Sequence, residues 1–387
     1  MSQVSANIKY IMKKVIKVIK NYSDICLYNS MLSNWREYIM KLAFLKDLTG
    51  NEILAKDIIT GYGKTLLKRG IVLTNTIRKR IESQGIFFVY IEDDELSDVV
   101  DDTELLELKK NVLKSLPEMF NDIIYFNGIA LNKSLGLVDD LIDYIQTENY
   151  INLNLYEVKV YDDYTYMHSV DTAIMATFLG TNMNLSRKDL RELSIAALFH
   201  DIGKTKVPTE IINKPSKLTL EEFEEVKMHP IYGKDILRKN PEFSDTIIDS
   251  VATHHEKFDG TGYALGISGN DIPFYGRVIS VCDVFTAITS DRCYRKKFAP
   301  KEAYEFILAQ TYSSFDPSVI NLFRDTFAVY PLGCPVTLSN GFIGYVVKQN
   351  KGFPDKPVVR IVSDLNNQKL VPYDINLKEV INVTITD

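Results

Sequence analysis

Residues 196–204 read Ala196-Ala197-Leu198-Phe199-His200-Asp201-Ile202-Gly203-Lys204. An apolar run stops at a His-Asp pair, and a glycine follows two residues on. Such a spot offers an imidazole and a carboxylate from one rigid place. Imidazole suits Fe, Zn, Cu and Ni, and carboxylate suits harder ions and can bridge two of them. The pair alone decides little, because adjacent His and Asp are common. The other histidines decide it. The chain has five, His168, His200, His229, His254 and His255, and all lie within residues 168–255. Histidines scattered for packing or solubility would not be so confined. All five are expected to be ligands of one site.

The residues around them support convergence. His168 falls early in an expected helix, on a turn shared with Asp171. Gly203 is a natural helix stop just beyond His200 and Asp201. His229 precedes Pro230, again at an expected helix end. His254 and His255 are neighbours, about 100° apart on a helix, so they share a site only if it lies between them or the helix ends there. Gly260 and Gly262 favour an end. Asp283 sits among Val278, Ile279 and Val281. A capping or salt-bridged role is open to it, but its apolar turn favours a ligand, since a buried carboxylate needs a partner.

Five imidazoles and two carboxylates exceed one tetrahedral zinc site. They suit two ions about 3.5–4 Å apart, which activate water and clamp a phosphoryl group. Mixed His and carboxylate donors favour Fe or Mn, with Zn or Mg less favoured. Lys204, Arg292, Arg295, Lys296 and Lys297 add local positive charge for an anionic substrate. Lys296 and Lys297 are expected to be solvated surface; Lys204 and Arg292 are expected to work.

The chain has 387 residues, enough for two or three domains at roughly 100–200 residues each. With 45% hydrophobic and 25% charged residues it has an ordinary globular balance. A net charge of −6 disfavours a general nucleic-acid binder. Cys26, Cys282, Cys293 and Cys334 form no C-x-x-C pair and are expected to be free thiols in a reducing compartment. No apolar run reaches the roughly 18 residues of a membrane span. The expected location is cytoplasmic.

Residues 8–20 alternate Ile, Met and Val with Lys9, Lys13, Lys17 and Lys20 at helical spacing. Docking on the protein's own surface is favoured over a membrane role, which usually needs a second anchor. Residues 1–102 are expected to hold this helix and a small α+β module. Its short strands are placed at Ile53-Leu54-Ala55 and Thr65-Leu66-Leu67, its helix at Thr74–Ser83, and a buried strand at Ile86–Ile91. Gly63-Lys64-Thr65 resembles the end of a phosphate loop, but Ile58 stands where that loop needs glycine. The acidic run Glu92–Asp102 marks a linker or solvated helix start. Residues 103–150 form a helical connector, 151–330 an all-α metal-bearing domain, and 331–387 a small β unit with strands near 336–338, 343–347, 358–362 and 380–385.

The segment from His168 to Pro317 resembles the HD-GYP family of cyclic di-GMP phosphodiesterases. The matching pieces are His168-Ser169, Ala196–Lys204, Val207-Pro208, Ile212-Asn213-Lys214-Pro215, His229-Pro230 and His254-His255-Glu256. They continue with Asp259-Gly260-Thr261-Gly262-Tyr263, Ile272-Pro273, Asp283, Ser290-Asp291-Arg292, Tyr294-Arg295 and Phe315-Asp316-Pro317. The resemblance implies a mainly α protein whose catalytic domain has the HD-type fold. It implies hydrolysis of cyclic di-GMP, a bacterial second messenger, to linear pGpG and sometimes on to GMP. His168, His200, Asp201 and Asp283 would hold one divalent metal. His229, His254 and His255 would hold the other, with Asp201 bridging, and a hydroxide between the metals would attack phosphorus. Lys204 would contact the scissile phosphate; Arg292 and Arg295 would contact phosphates or bases, and Tyr263 the substrate.

Three departures stand out. The naming triplet is Gly262-Tyr263-Ala264, with alanine for proline, which puts contacts with diguanylate cyclase domains in question. Tyr164 replaces the glutamate that brings some members a third metal, so two metals are expected. Thr286 replaces an aspartate three residues after the last metal Asp. The other readings are an HD phosphohydrolase for another nucleotide and a silent cyclic di-GMP receptor; retention of every ligand weighs against the receptor. A homo-oligomer is open.

Overall fold

Helices dominate this computed structural model, which describes residues 40–93, 96, 102–126, 128–147, 164–214, 216–289, 300–350, 352–366 and 368–386. The expected helix at 8–20 lies outside the described residues. One hydrophobic cluster runs from Met40 to Ile385, so the module, the helical region and the β unit share a core.

The module pairs β1 (Lys41–Phe44) with β4 (Phe88–Ile91), antiparallel, and β2 (Ile58–Ile59) with β3 (Thr65–Leu67). Thr74 caps α1 (Asn75–Glu82) as its sequence predicts, its hydroxyl accepting from the amide of Ile77. The strand expected at Ile53–Ala55 is not one. Ile53 bridges Val72 and Leu54 bridges Ile91, so this segment pairs once to each side instead of forming a ladder.

Two long helices follow, α2 (Thr103–Tyr125) and α3 (Gly128–Thr147). Asp102 caps α2 by accepting from Leu105 N at 2.9 Å. The acidic run therefore ends as a helix start. Val112, Leu113, Leu116, Phe120 and Ile123 are buried along α2 at helical spacing.

The helical domain contains α4 (Tyr164–Asn182), α5 (Arg187–Leu198), the short α6 (Thr209–Ile212), α7 (Leu220–Lys227), α8 (His229–Leu237), α9 (Asp245–Thr253), α10 (Phe274–Ile288), α11 (Pro300–Ala309) and α12 (Pro317–Thr326). The expected all-α region is present. Pro230 sits in the first turn of α8, where its missing N–H costs nothing, so His229 starts a helix and does not end one as expected.

At the C-terminus β5 (Pro335–Thr337), β6 (Ile343–Lys348), β7 (Val358–Ser363) and β8 (Lys369–Asn376) form an antiparallel meander. The fourth strand is therefore not the expected 380–385. β8 is an edge strand, which tolerates Pro372 within it. Residues 384–386 instead close against Thr337 and Ser339, with a single bridge from Leu338 to Ile385. No helix among the described residues is long and apolar enough to cross a membrane.

Candidate metal centre

The site forms where the ends of α5 and α9, the start of α8 and the bodies of α4 and α10 meet. Ser186 caps α5, accepting from Asp189 N at 3.2 Å, and the helix then buries Leu190 and Leu193 through Leu198. It stops at Phe199, so His200 and Asp201 lie in the turn beyond it. A tight 3-10 segment, Ile202–Lys206, continues from there. Gly203 makes this possible: a Cβ there would lie 1.9 Å from the carbonyl oxygen of His229 and 2.4 Å from the amide of Gly233. The absence of a side chain lets the turn press onto the first turn of α8, which delivers His229 to Asp201.

Three histidines are aimed by one device. Nδ1 of His200, His229 and His254 each lies 2.7 Å from a carbonyl three residues earlier, on Ala197, Val226 and Val251. A ring that donates there keeps its Nε2 lone pair for the centre, as a metal ligand requires. His254 caps the C-terminus of α9, and the helix ends there as the glycines downstream imply. His255 therefore turns back toward the same centre.

The donor atoms fall into two groups. Asp201, His229, His254 and His255 make one; His168, His200 and Asp283 make the other; within each, the donor atoms lie within 4.8 Å of one another. The groups touch. His200 Nε2 is 3.4 Å from Asp201 Oδ2 and 3.7 Å from Asp283 Oδ1, and His255 Nδ1 is 3.8 Å from Asp283 Oδ2. His229 Nε2 stands 3.3 Å from Asp201 Oδ1 and His168 Nε2 stands 2.8 Å from Asp283 Oδ1. Every histidine of the sequence is at this one place.

The charges suit cations. Burial pulls His168 down, and His254 well down; His255 falls to about 3 for the same reason. Burial also lowers His200, but the carboxylates of Asp201 and Asp283 outweigh it and its net shift is upward. Burial raises Asp201 and Asp283, yet Lys204 and the imidazoles of His200 and His229 outweigh it at Asp201, and the imidazoles of His168, His255 and His200 outweigh it at Asp283, so both stay well below the usual carboxylate range. The carboxylates are thus ionised near neutral pH, and most of the imidazoles are in the neutral form that metals bind.

His200 Nε2 and Asp201 Oδ1 are buried yet make no hydrogen bond of adequate geometry among the described residues. Buried polar atoms are rarely left so. A cation between the groups would satisfy both, so this donor set fits metal ions. Cys282, though buried beside Asp283, is in neither group, and burial raises its thiol.

Lys204 Nζ is 2.6 Å from Asp201 Oδ2 with its side chain 30% exposed, so it reaches from the centre toward solvent. Tyr263 stacks on His255, centroids 4.8 Å apart at 29°, and Lys227 Nζ lies 5.9 Å from the Tyr263 ring centre. Arg292 and Arg295 lie outside the described residues.

Parts of this chain are similar to known proteins. Residues 158–319 match the family described as HD domain. The match is to that stretch of the chain, the one that carries all five histidines and both aspartates. Residues 335–387 match a KOW domain associated with HD domain, which accounts for the β meander. The chain is 35% identical over 257 residues to cyclic di-GMP phosphodiesterase PA4108 of Pseudomonas aeruginosa, covering 66% of this chain and 62% of that protein. It is 30% identical to cyclic di-GMP phosphodiesterase PdeB of Borreliella burgdorferi, covering 55% of each. It is also 30% identical to 3'3'-cGAMP-specific phosphodiesterase 2 of Vibrio cholerae, covering 57% of this chain and 40% of that protein. The chain therefore spans less than two thirds of the length of these relatives.

Two residues of the HD domain had no assigned role in the sequence. Glu256 is buried, and its Oε1 accepts from the amides of Leu265 and Gly266 at 2.6 and 3.0 Å, which pins the loop carrying Tyr263. The acid directly after two ligands, ahead of a glycine-rich stretch, was its signal. Thr286 Oγ1 touches His168 Nδ1 at 3.1 Å. One helical turn beyond Asp283, it was visible in the sequence only as a lost carboxylate.

Proposed function

We propose that this protein is a phosphodiesterase that hydrolyses cyclic di-GMP to linear pGpG, using two divalent cations. His168, His200, Asp201 and Asp283 would hold one, and His229, His254 and His255 the other, with Asp201 shared. The observation that carries this reading is the meeting of all five imidazoles with two ionised carboxylates at the Gly203 turn. A donor set of nitrogen and oxygen without thiolate favours iron or manganese. The names of the two cyclic di-GMP phosphodiesterase relatives and the HD-GYP motifs support the substrate.

Bound cations would supply activated water near neutral pH and offset phosphoryl charge. The chain's own side chains do the rest. Lys204 places an ammonium beside Asp201, where it would contact the phosphate under attack and stabilise the charge that builds there. Tyr263, backed by His255, offers an aromatic face to a guanine base. Arg292 and Arg295 would add phosphate or base contacts. Water oxygen joins phosphorus, the bond to the 3′ oxygen breaks, and that oxygen leaves with a proton. Within this reading residues 1–102 and 103–150 are an input module and its connector, 151–330 the catalytic domain, and 331–387 an accessory β unit.

A second substrate, 3'3'-cGAMP, is favoured by the name of the Vibrio relative. The test is metal analysis of protein purified under reducing, anaerobic conditions, followed by chromatography of products from both dinucleotides. Two equivalents of metal with pGpG as product support the proposal. A fully loaded protein inert toward cyclic di-GMP rejects it.

A further inference from the structure

Among the described residues His168 is the one member of the two donor groups that lies on α4, so the position of that whole helix sets where the imidazole sits. One turn along α4, Asp171 Oδ1 lies 2.5 Å from Nζ of Lys109 on α2. The Lys109 side chain is 2% exposed and that of Asp171 is 13% exposed. The next residue of α2, Lys110, reaches a different partner. Its Nζ is 3.2 Å from Asp57 Oδ2 in the N-terminal module and 2.8 Å from Glu107 Oε1. Neighbours on a helix point about 100° apart. Consecutive lysines of α2 thus hold the module on one side and the His168 helix on the other.

Aromatic contacts follow the same path. The Tyr62 ring, in the turn between β2 and β3, is 5.7 Å from that of Tyr166, two residues before His168. Phe120 of α2 meets the same Tyr166 ring edge-on at 5.4 Å. A lysine buried to this degree is a poor source of net stability, because an apolar pair of similar volume usually does as well. What an ion pair adds is direction: it joins one point of α4 to one point of α2, and a slide of either helix by a turn, about 5.4 Å, would separate the charges.

We infer that Lys109 and Asp171 are a positioning pair that sets α4, and through it His168, against Asp283 and His200. The inference rests on His168 being a metal ligand, as proposed above. It also gives the module a mechanical route to the centre, since Asp57 and Asp171 are held by adjacent residues of one helix.

The test is titration of the metal-free full chain with cobalt(II) chloride, read by the visible absorption of bound cobalt, with thermal melting in parallel. Wild type, Lys109→Met and the apolar pair Lys109→Met with Asp171→Met are compared. The expected result is two cobalt-binding steps in wild type. One of them should be weakened about tenfold and spectrally altered in Lys109→Met. The apolar pair should recover the melting temperature without recovering that step. Should Lys109→Met fail to fold, the apolar pair carries the test alone. Wild-type cobalt binding in a folded Lys109→Met, or recovery of affinity together with stability in the apolar pair, overturns the inference. Wild type that takes up no cobalt rejects the metal reading itself, before any variant is compared.

Discussion

Thr286 Oγ1 lies 3.1 Å from His168 Nδ1, while Asp283, one turn earlier on α10, holds its Oδ1 2.8 Å from Nε2 of the same ring. The threonine hydroxyl is also 2.9 Å from the Cys282 carbonyl, to which it can donate, leaving its lone pair for His168. With Nδ1 protonated against Thr286, Nε2 turns its lone pair to a carboxylate oxygen. In that tautomer a cation would have to stand between the two acceptors; in the other, Nε2–H donates to Asp283 and needs none. Thr286→Val keeps the shape and removes the hydroxyl. Metal affinity should fall about tenfold, as for other partners that orient a ligand histidine. Isothermal titration with manganese measures it, and unchanged affinity would show that the hydroxyl does not orient the ring.

Gly203→Ala tests the close approach that delivers His229. The new methyl would meet backbone of His229 and Gly233, which cannot swing aside as a side chain can. We expect a stability loss of about 3 kcal/mol, at the upper end for an overpacked site, together with weaker metal binding. Denaturant melts check the first and elemental analysis the second. A variant as stable as wild type would contradict the packing described here.

His200→Ala with Asp201→Ala removes a donor from each group. Bound metal and turnover should both be lost while helical circular dichroism is retained. Metal content after dialysis and product chromatography report the outcome; residual hydrolysis in this variant removes the central role given to these residues.

Glu52 gives a pH prediction away from the metal centre. Burial raises its pKa, but bonds from the backbone and hydroxyl of Thr49 and the amide of Gly50 outweigh that and bring it to about 2, from 4.5. A depressed carboxylate stabilises the fold fully above the unfolded value and loses that contribution as pH falls through the folded one. Glu52→Gln should therefore melt below wild type at pH 6, and the gap should close between pH 4.5 and about 2. A gap that is constant across that range would mean the carboxylate charge is not responsible.

Much of the centre was legible before the fold. Five histidines within residues 168–255 are too few and too confined to be incidental; of the helix ends expected beside them, those near His200 and His254 are present, while His229 starts a helix. Asp283 stood out because an apolar turn gives a carboxylate little to bind. The β unit was less legible. The segment at 380–385 has strand composition, yet β8 took its place, because pairing with β7 rewards Leu370 through Ile375 whatever Pro372 costs at an open edge.

The helical character of the domain and the residue types of the candidate metal site were set by the sequence, since each depends on local conformation or on the chemistry of a single side chain; that Gly203 lets two backbones meet was not, because its partners His229 and Gly233 come from another helix. The tertiary structure alone decided which carbonyl aims each imidazole inward, and that Lys109 answers Asp171 while Lys110 answers Asp57. Such pairings depend on how helices far apart in the chain are rotated against one another. Packing of their apolar faces sets that rotation, and no local pattern records it.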